Sequence, residues 1–316
     1  MSTTLTASYR GPSKALVIAA FAAVYILWGS TYLAIFIALD DIPPFLLVAA
    51  RFLVAGILLY GWCRIKGEPA PSLKAFANIS LGGIILLFLG TGSLIWSEQY
   101  LPPGLAAIIV ATVPLWFVLL DKYQWKFHFA NKFIVLGLLI GFAGVVTLFI
   151  GKNSSARATA ADGNMPLVSI IVLLFGSVCW AVGSLYSKYR KVEGSASMKA
   201  AIQMIAAGGV SFIPALALGE HHRFAWSQVH FSAVAAVLYL VIFGSLIGYI
   251  AYVWLLSVRP PSLVGTYAYV NPVVALLLSS VVFHKEEITP HKLLALGIIL
   301  AGVIIVNLSK EKIVKP

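Results

Sequence analysis

Charged residues, and acidic ones above all, are scarce in this 316-residue sequence. Only 10% of the residues are charged, against about 25% in an ordinary soluble domain. Asp and Glu total 11, whereas Lys and Arg total 22, and 60% of all residues are hydrophobic. A soluble protein of this composition would have too little polar surface to present to water. The composition therefore excludes an ordinary soluble enzyme and favours a protein surrounded by lipid.

The residue patterns of common catalytic and metal sites are also missing. Neither the nucleotide-binding pattern G-x-x-x-x-G-K-[ST] nor the zinc pattern H-E-x-x-H occurs. Cys63 and Cys179 have no metal-ligand spacing and are predicted to be small buried hydrophobic residues. We therefore expect no enzyme activity, no cofactor and no metal. All six histidines are predicted to be solvated in loops: His128, His221, His222, His230, His284 and His291.

Long apolar stretches account for almost the whole chain. A spanning helix needs roughly 20 apolar residues, and the sequence predicts an all-α integral membrane protein with ten such helices. The first is too long for the apolar core of a signal peptide, so it is interpreted as an uncleaved span. The predicted spans are Ala15–Leu39, Phe45–Cys63, Phe76–Trp96, Leu105–Leu120, Phe133–Ile150, Leu167–Tyr186, Ala200–Leu218, Ala233–Ser257, Ser262–Phe283 and Lys292–Leu308.

The distribution of Lys and Arg predicts the orientation in the membrane. If the N-terminus is cytoplasmic, the cytoplasmic segments carry 16 of the 22 basic residues, the outer segments carry 5, and Arg51 lies within a span. Cytoplasmic loops are normally enriched in Lys and Arg, so an even number of spans with both termini cytoplasmic is expected. The net charge of +11 is then a consequence of topology, and no nucleic-acid partner is expected.

The sequence contains an internal repeat. A shift of 158 residues superposes Pro114 on Pro272, Trp96 on Trp254, Gly90 on Gly248 and the pair Pro102-Pro103 on Pro260-Pro261. The first two helices of each half match more weakly, at a shift of 154 that pairs Gly29-Ser30 with Gly183-Ser184. We divide the chain into a first five-helix repeat at 15–150, a linker at 151–166 and a second five-helix repeat at 167–308.

Five spans in each half give the second half the opposite orientation. Such inverted repeats are typical of secondary transporters, whose binding site lies near the middle of the bilayer between the repeats. Membrane enzymes and receptors have no comparable need for two opposed halves. The repeat therefore favours transport over catalysis.

A series of short motifs carries a family resemblance across roughly residues 15–308. In order, the motifs are Leu27-Trp28-Gly29-Ser30, Ala50-Arg51-Phe52, Glu98-Gln99-Tyr100, Ala111-Thr112-Val113-Pro114-Leu115, Asn271-Pro272 and Glu286-Glu287-Ile288-Thr289. The series resembles the EamA family of the drug/metabolite transporter superfamily. The resemblance implies ten helices in a 5+5 inverted arrangement and export of amino acids or other metabolites. One departure is that His128 occupies the first-half position corresponding to Glu286, so that acid is not duplicated.

Two charged residues are candidates for substrate binding. Arg51 lies inside the second span, where a charge is expensive and marks a functional site by default. It is interpreted as an anchor for a substrate carboxylate, as an ion-pair partner of Glu98, Asp40 or Asp41, or as a structural Arg. Glu98, at the outer end of the third span, is a candidate proton carrier or amine ligand, with an interfacial role as the alternative.

Helical spacing places further polar and aromatic residues on shared faces, as a cavity for a small organic solute requires. Ordinary interhelical hydrogen bonds or an aromatic belt are the alternative interpretation. Pro114 and Pro272 are predicted to kink their helices and to free a carbonyl one turn earlier. The full set of predicted substrate-binding residues is Trp28, Tyr32, Arg51, Glu98, Thr112, Trp180, Ser184, Tyr249, Tyr267 and Asn271.

The favoured function is a secondary transporter or facilitator in the cell inner membrane that exports a small metabolite, an amino acid or similar zwitterion. The alternatives are a sugar, nucleotide-sugar or cationic-drug carrier, and a non-transporting sensor or assembly protein. Gly137, Gly141 and Gly144 form a close-packing face on the fifth span. The sequence leaves open whether that face serves the monomer or a homodimer.

Overall fold

The protein is an all-α bundle throughout the described part of the chain. A computed structural model describes residues 13–101, 103–149, 164–283 and 289–308. The predicted linker up to residue 163, Pro102, His284 and the motif residues Glu286, Glu287 and Ile288 lie outside the described residues. The helices are α1 Lys14–Ala38, α2 Pro44–Ile65, α3 Leu73–Ser97, α4 Pro103–Val110, α5 Val113–Leu120, α6 Trp125–Ala130, α7 Lys132–Phe149, α8 Met165–Tyr189, α9 Ala196–Ala217, α10 Glu220–Arg223, α11 Phe231–Val258, α12 Pro261–Val264, α13 Tyr267–Phe283 and α14 Pro290–Leu308.

Within the described residues, eight helical stretches are long and apolar enough to cross a membrane, and they are α1, α2, α3, α8, α9, α11, the stretch Pro261–Leu278 and α14. The stretches Leu105–Leu120 and Lys132–Leu148 are apolar but shorter. At 1.5 Å per residue, α1 and α3 are each about 37 Å long, enough for a hydrocarbon core of about 30 Å. The prediction of an all-α membrane protein is confirmed. The helices that match the predicted spans begin and end within a few residues of the predicted ends, and α8 begins at Met165, two residues inside the predicted linker.

Several helix starts follow directly from the sequence. Ser13, Ser72 and Ser195 precede α1, α3 and α9, and each side-chain oxygen accepts a hydrogen bond from a backbone N–H three residues on. These serines satisfy N–H groups that have no partner inside the helix. In contrast, α2 begins at Pro44, and the residue before it, Pro43, has no side chain that could cap the helix.

Two glutamates from distant parts of the chain cap α2 and α9 reciprocally. The carboxylate of Glu220, three residues beyond the end of α9, accepts hydrogen bonds from Phe45 N at 3.2 Å and Leu46 N at 2.9 Å. The carboxylate of Glu68, three residues beyond the end of α2, accepts from Ser195 N at 2.7 Å and Ser195 Oγ at 2.8 Å. A negative charge at a helix N-terminus is favourable. The glutamate that follows α9 therefore stabilises α2, and the glutamate that follows α2 stabilises α9.

The packing of α2 against α9 is reciprocal as well. A Cβ on Gly56 would lie 2.8 Å from Ile205, and a Cβ on Gly208 would lie 2.8 Å from Leu53. Gly208 lies 152 residues after Gly56, and Ile205 lies 152 residues after Leu53, so the two contacts are equivalent in the two halves of the chain. Because neither glycine leaves room for a side chain, the backbones of the two helices approach closely.

The same reciprocity joins α7 to α14. A Cβ on Gly144 would lie 2.8 Å from Ile299, and a Cβ on Gly302 would overlap Gly141. The two separations, Gly144 to Gly302 and Gly141 to Ile299, are both 158 residues. The glycine face predicted on the fifth span is therefore used for packing within one chain.

The first helix of each half packs on the other half. Helix α1 contacts α11 and α13, whereas α8 contacts α3 and α5. A Cβ on Gly248 would lie 2.7 Å from Trp28, and a Cβ on Gly90 would lie 3.1 Å from Trp180. Trp28 and Trp180 make equivalent contacts and are 152 residues apart. The structural equivalence of the first helices is therefore a shift of 152 residues, two fewer than the shift of 154 predicted from the sequence.

Two of the long helices contain π-helical segments that the sequence analysis did not predict. They are Ile84–Thr91 within α3 and Leu240–Tyr249 within α11. A shift of 158 residues places the two segments at the same part of the repeat. A π turn widens the helix locally and is frequent at functional sites.

Short breaks interrupt two predicted spans. Helices α4 and α5 are separated at Ala111 and Thr112, just before Pro114, and α12 and α13 are separated at Gly265 and Thr266. In both breaks the threonine Oγ1 donates to the carbonyl three residues earlier, at 2.6 and 2.7 Å. Pro272 lies inside α13, where it was predicted.

The prediction that His128 is a solvated loop residue is wrong. His128 lies in α6 with its side chain fully buried, and its Nε2 is 3.3 Å from Ser262 Oγ at the start of α12. Burial lowers the pKa of His128 to about 4. The other histidines within the described ranges, His221, His222, His230 and His291, are exposed as predicted, but His221 and His222 lie in α10 and His291 lies in α14 rather than in loops. Cys63 and Cys179 are buried and free.

Candidate functional site

A cavity of about 80 Å³ is lined by parts of α1, α2, α3, α4, α5, α8, α11 and α13, and we call it the central cavity. It is smaller than the roughly 300–1,000 Å³ of sites for drug-sized ligands, so binding a metabolite there requires the lining to move apart. Most of the lining is apolar. The side chains that bring polar or aromatic groups to it are Trp28, Thr31, Tyr32, Arg51, Phe52, Thr91, Ser177, Trp180, Tyr249, Tyr267 and Asn271.

Seven of the ten predicted substrate-binding residues line this cavity: Trp28, Tyr32, Arg51, Trp180, Tyr249, Tyr267 and Asn271. Glu98, Thr112 and Ser184 are not among its lining residues. Thr112 occupies the break between α4 and α5, where it accepts a hydrogen bond from Trp116 Nε1 at 3.0 Å. Ser184 is buried and bonds Tyr252 Oη at 2.6 Å. Glu98 is 2% exposed at the end of α3 and close enough to Tyr32 for an electrostatic interaction.

Arg51 brings a positive charge to the central cavity. Its side chain is 5% exposed, and its Nε donates to Ser245 Oγ at 2.9 Å. Within the described residues Arg51 has no salt-bridge partner, and Asp41 instead pairs with His230 at 3.0 Å. A buried guanidinium without an anion is costly, and its five N–H groups are more than Ser245 can satisfy. The cavity therefore offers donors to an anionic group.

Gly244 is what allows the guanidinium into this position. A Cβ on Gly244 would lie 2.7 Å from Arg51 Nη2 and 3.0 Å from Thr31. Gly244 and Ser245 belong to the π-helical segment of α11. The wide turn also exposes the carbonyl of Gly244, which accepts a hydrogen bond from Trp28 Nε1 at 3.0 Å. The π segment thus holds both the cation and one indole of the cavity.

Four aromatic rings from four helices meet beside the cavity. Trp28 of α1 lies 5.5 Å from Trp180 of α8, 5.0 Å from Tyr252 of α11 and 4.9 Å from Tyr267 of α13, measured between ring centroids. Tyr252 and Tyr267 also contact each other at 5.8 Å in an edge-to-face arrangement. Such pairs contribute roughly 0.5–1.5 kcal/mol each beyond their burial. The cluster is a rigid wall that links both halves of the chain.

Two lining residues carry polar groups with different roles. The indole nitrogen of Trp180 is shielded from solvent and lies beside the hydroxyl groups of Tyr252 and Tyr267. Asn271, in the orientation that suits its neighbours, donates from its amide nitrogen to the carbonyls of Tyr25 at 3.2 Å and Tyr267 at 3.0 Å. Asn271 therefore ties α13 to α1 at the edge of the cavity.

A hydrogen-bonded layer separates the central cavity from a second one. Tyr249 Oη donates to Gln203 Oε1 at 2.8 Å, and Gln203 Nε2 donates to Ser187 Oγ at 2.8 Å. Tyr249 lines the central cavity, whereas Gln203 and Ser187 line a second cavity of about 670 Å³, which we call the end cavity. The two cavities lie on opposite sides of this layer, along the length of the helices.

Sequence reasoning left three polar lining residues out of the predicted set. Thr31 and Ser177 are neighbours of predicted residues on their own helices, and Thr91 is the counterpart of Tyr249 at a shift of 158. Applying the repeat to Tyr249 would have identified Thr91. Among the described residues, no group of three or more His, Cys, Asp or Glu side chains is arranged to hold a metal ion.

Comparison with protein families gives a match over both halves of the chain. A model of the EamA-like transporter family matches residues 15–150 and again residues 167–308. Between them, the two matches include every residue that lines the central cavity.

Individual relatives cover nearly the whole chain. The protein is 38% identical over 290 residues to the uncharacterized inner membrane transporter YedA of Escherichia coli strain K12, covering 91% of this chain and 89% of that protein. It is 25% identical over 292 residues to the uncharacterized transporter YvbV of Bacillus subtilis strain 168, covering 89% and 88%. A solved crystal structure superposes with a TM-score of 0.73 at 20% identity, covering 94% of this chain and 98% of the other. That structure shares the fold.

Proposed function

Because the chain belongs to the EamA-like transporter family, we propose that it is a secondary transporter or facilitator that exports a small metabolite by alternating access. The favoured cargo is an amino acid or a similar zwitterion. The observation that carries this proposal is the buried guanidinium of Arg51, which lines an otherwise mainly apolar central cavity without a carboxylate partner among the described residues. A carboxylate on the cargo would satisfy the charge that the protein leaves uncompensated.

The lining around Arg51 suits the rest of such a molecule. Trp28, Trp180 and Tyr267 supply aromatic faces, which accommodate apolar groups and attract a cationic amine. Glu98, close to Tyr32, is our candidate for an amine ligand or proton carrier at the edge of the site.

For the architecture we propose ten transmembrane helices arranged as two inverted five-helix repeats. The reciprocal contacts of α2 with α9 and of α7 with α14 support this arrangement, because each contact made by one half recurs with the partners exchanged. The same holds for Trp28 on Gly248 and Trp180 on Gly90. In an inverted repeat, such exchanged contacts allow two states related by the pseudo-two-fold axis that relates the repeats.

The described conformation fits one of these states. The Tyr249–Gln203–Ser187 layer and the aromatic cluster of Trp28, Trp180, Tyr252 and Tyr267 would close the path from the central cavity to the end cavity. We propose both termini in the cytoplasm, as the Lys and Arg distribution predicts, which places the end cavity on the cytoplasmic side. The E. coli relative is named an inner membrane transporter, and we propose the same membrane for this chain.

The test is a counterflow assay in proteoliposomes. Purified protein would be reconstituted with an unlabelled amino acid inside, and uptake of the labelled amino acid would be followed for aromatic, aliphatic and basic side chains in turn. We expect saturable uptake for one class, abolished in Trp28→Ala and Asn271→Ala while membrane insertion is retained. Sugars, nucleosides and quaternary amines would be tested in parallel. Uptake of only quaternary amines, or no uptake of any class, would contradict the proposal.

A further inference from the structure

The end cavity differs from the central cavity in its charge. Its lining carries four cationic side chains against one carboxylate, that of Glu193. The four cations, Lys188, Arg190, Lys191 and Lys199, come from the end of α8, the segment that follows it and the first turn of α9. Cations brought together in a concave site focus a positive potential into it.

Most of these cations are not used by the fold. Lys188 is committed, because its Nζ donates to the carbonyls of Leu256 at 2.7 Å and Arg259 at 2.8 Å. In contrast, the side chains of Arg190, Lys191 and Lys199 have no hydrogen bond or salt bridge within the described residues.

The rest of the lining provides neutral donors and a limited negative charge. Gln203, Ser187 and Asn78 contribute amide and hydroxyl groups. The nearby carboxylate of Glu68 is held by Ser195, and Glu193 is exposed. The positive charges of Arg190, Lys191 and Lys199 therefore outnumber the negative charges beside them.

We propose that the end cavity is a binding site for the phosphate or carboxylate group of a small ligand, separate from the central cavity. Arg190 and Lys191 bind the anion, with Lys199 at the wall of α9, and Arg190 offers the fork of donors that matches a carboxylate or phosphate. The ligand is either a free anionic metabolite or the headgroup of an anionic lipid. The site does not depend on the transport function proposed above, since binding can be measured without flux.

The experiment uses the full chain in lipid nanodiscs and follows its melting temperature. In phosphatidylcholine nanodiscs, sodium phosphate would be titrated against sodium chloride at equal ionic strength, so that general screening is the same in both. A bound anion stabilises the folded protein by RT ln(1 + [L]/Kd), so the melting temperature keeps rising with the logarithm of the phosphate concentration above Kd. The test variant is Arg190→Gln/Lys191→Gln, because both side chains are exposed, and Lys199→Gln is a second, independent variant. The control is Lys122→Gln/Lys126→Gln, which removes two exposed cations outside the cavity.

We expect phosphate to stabilise the wild type and the control, and to bind the test variant about tenfold more weakly, as loss of a charge-assisted bond predicts. If phosphate has no effect but phosphatidylglycerol nanodiscs stabilise the wild type and the control more than the test variant, the ligand is a lipid headgroup. Equal responses of all the proteins in both arms would overturn the proposal. Failure of the counterflow assay alone would leave this site unaffected.

Discussion

Arg51 and Ser245 join α2 to the π-helical segment of α11 through a hydrogen bond of 2.9 Å between Nε and Oγ. Ser245 satisfies one of the five guanidinium donors, and the remaining ones lie at a cavity with no carboxylate among its lining residues. The bond fixes the position of the cation without neutralising it. Binding of an anionic group in the central cavity therefore depends on Arg51 more than on any other lining residue.

Replacing Arg51 tests this dependence. We expect Arg51→Gln to reduce counterflow of a carboxylate-bearing cargo by roughly ten- to a hundredfold, the effect of losing one charge-assisted hydrogen bond. Arg51→Lys keeps the charge but loses the fork of guanidinium donors, so its transport rate should lie between those of the wild type and Arg51→Gln. Arg64→Gln, which removes an exposed arginine from the end of the same helix, serves as the control. Equal transport by Arg51→Gln and Arg64→Gln would contradict the role given to Arg51.

Two variants of Trp28 separate its packing from its hydrogen bond. Trp28→Phe keeps an aromatic ring but loses the bond from Nε1 to the Gly244 carbonyl, and should lower stability by about 1 kcal/mol. Trp28→Ala also removes three ring contacts and should cost about 3–5 kcal/mol. Thermal unfolding in detergent measures both. If the two variants melted at the same temperature, the aromatic cluster would not be the rigid wall described above.

The close approach of α2 and α9 can be tested with alanine. Gly56→Ala would place a Cβ 2.8 Å from Ile205, and the resulting overpacking should lower stability by about 1–3 kcal/mol. Gly209→Ala is the matched control, because a Cβ there meets nothing within 4 Å. In the control, alanine should be neutral or stabilising by up to about 1 kcal/mol. Melting temperatures in the reverse order would mean that the two helices pack differently.

The cap supplied by Glu220 makes a further prediction. Glu220→Gln removes the negative charge from the N-terminus of α2, leaves one acceptor for Phe45 N and Leu46 N, and should destabilise the protein by about 1 kcal/mol. Glu193→Gln, an exposed substitution, is the control and should have little effect. Hydrogen exchange at the first turn of α2 should increase only in Glu220→Gln. Unchanged exchange there would show that the carboxylate is not the cap.

His128 predicts how stability depends on pH. Its pKa is lowered to about 4 by burial, against about 6.5 when exposed, so the folded protein binds this proton less readily than the unfolded chain. The stability contributed by neutral His128 is therefore present above pH 6.5 and is lost as the pH falls through 4. The difference corresponds to about 3 kcal/mol. The melting temperature of His128→Gln should depend less on pH between 6.5 and 4 than that of the wild type. If the two slopes were equal, a group other than His128 would be responsible for the pH dependence.

The extent of the helices was predictable because it depends on hydrophobicity, which the sequence displays directly. A kink inside the helix was predicted at Pro114, whereas Pro114 lies in the first turn of α5 after a short break. The π segments were not predicted, because Ile84–Thr91 contains no proline, and a single glycine such as Gly90 also occurs within ordinary helices. The burial of His128 was missed for a related reason: it results from contact with Ser262, 134 residues away in the chain, which no local pattern indicates.

For the candidate site, helical spacing was informative within one helix and less so between helices. The predicted set contains both Trp180 and Ser184, but Ser184 bonds Tyr252 and lies outside the cavity lining, whereas Trp180 lines the cavity. Arg51 was singled out because a charge inside an apolar span is rare, and its hydrogen bond to Ser245 required knowledge of how α2 and α11 pack. Which faces of the helices meet is decided by tertiary packing.

The reciprocal carboxylates bear on how the chain is made. The amide groups of Phe45 and Leu46 leave the ribosome 175 and 174 residues before Glu220, the residue that caps them. Helix α2 therefore enters the membrane before the carboxylate that caps its N-terminus has been made, and the first half of the protein completes its folding only after part of the second half has been synthesised. Two separately expressed halves would have to find each other before either reached its final structure.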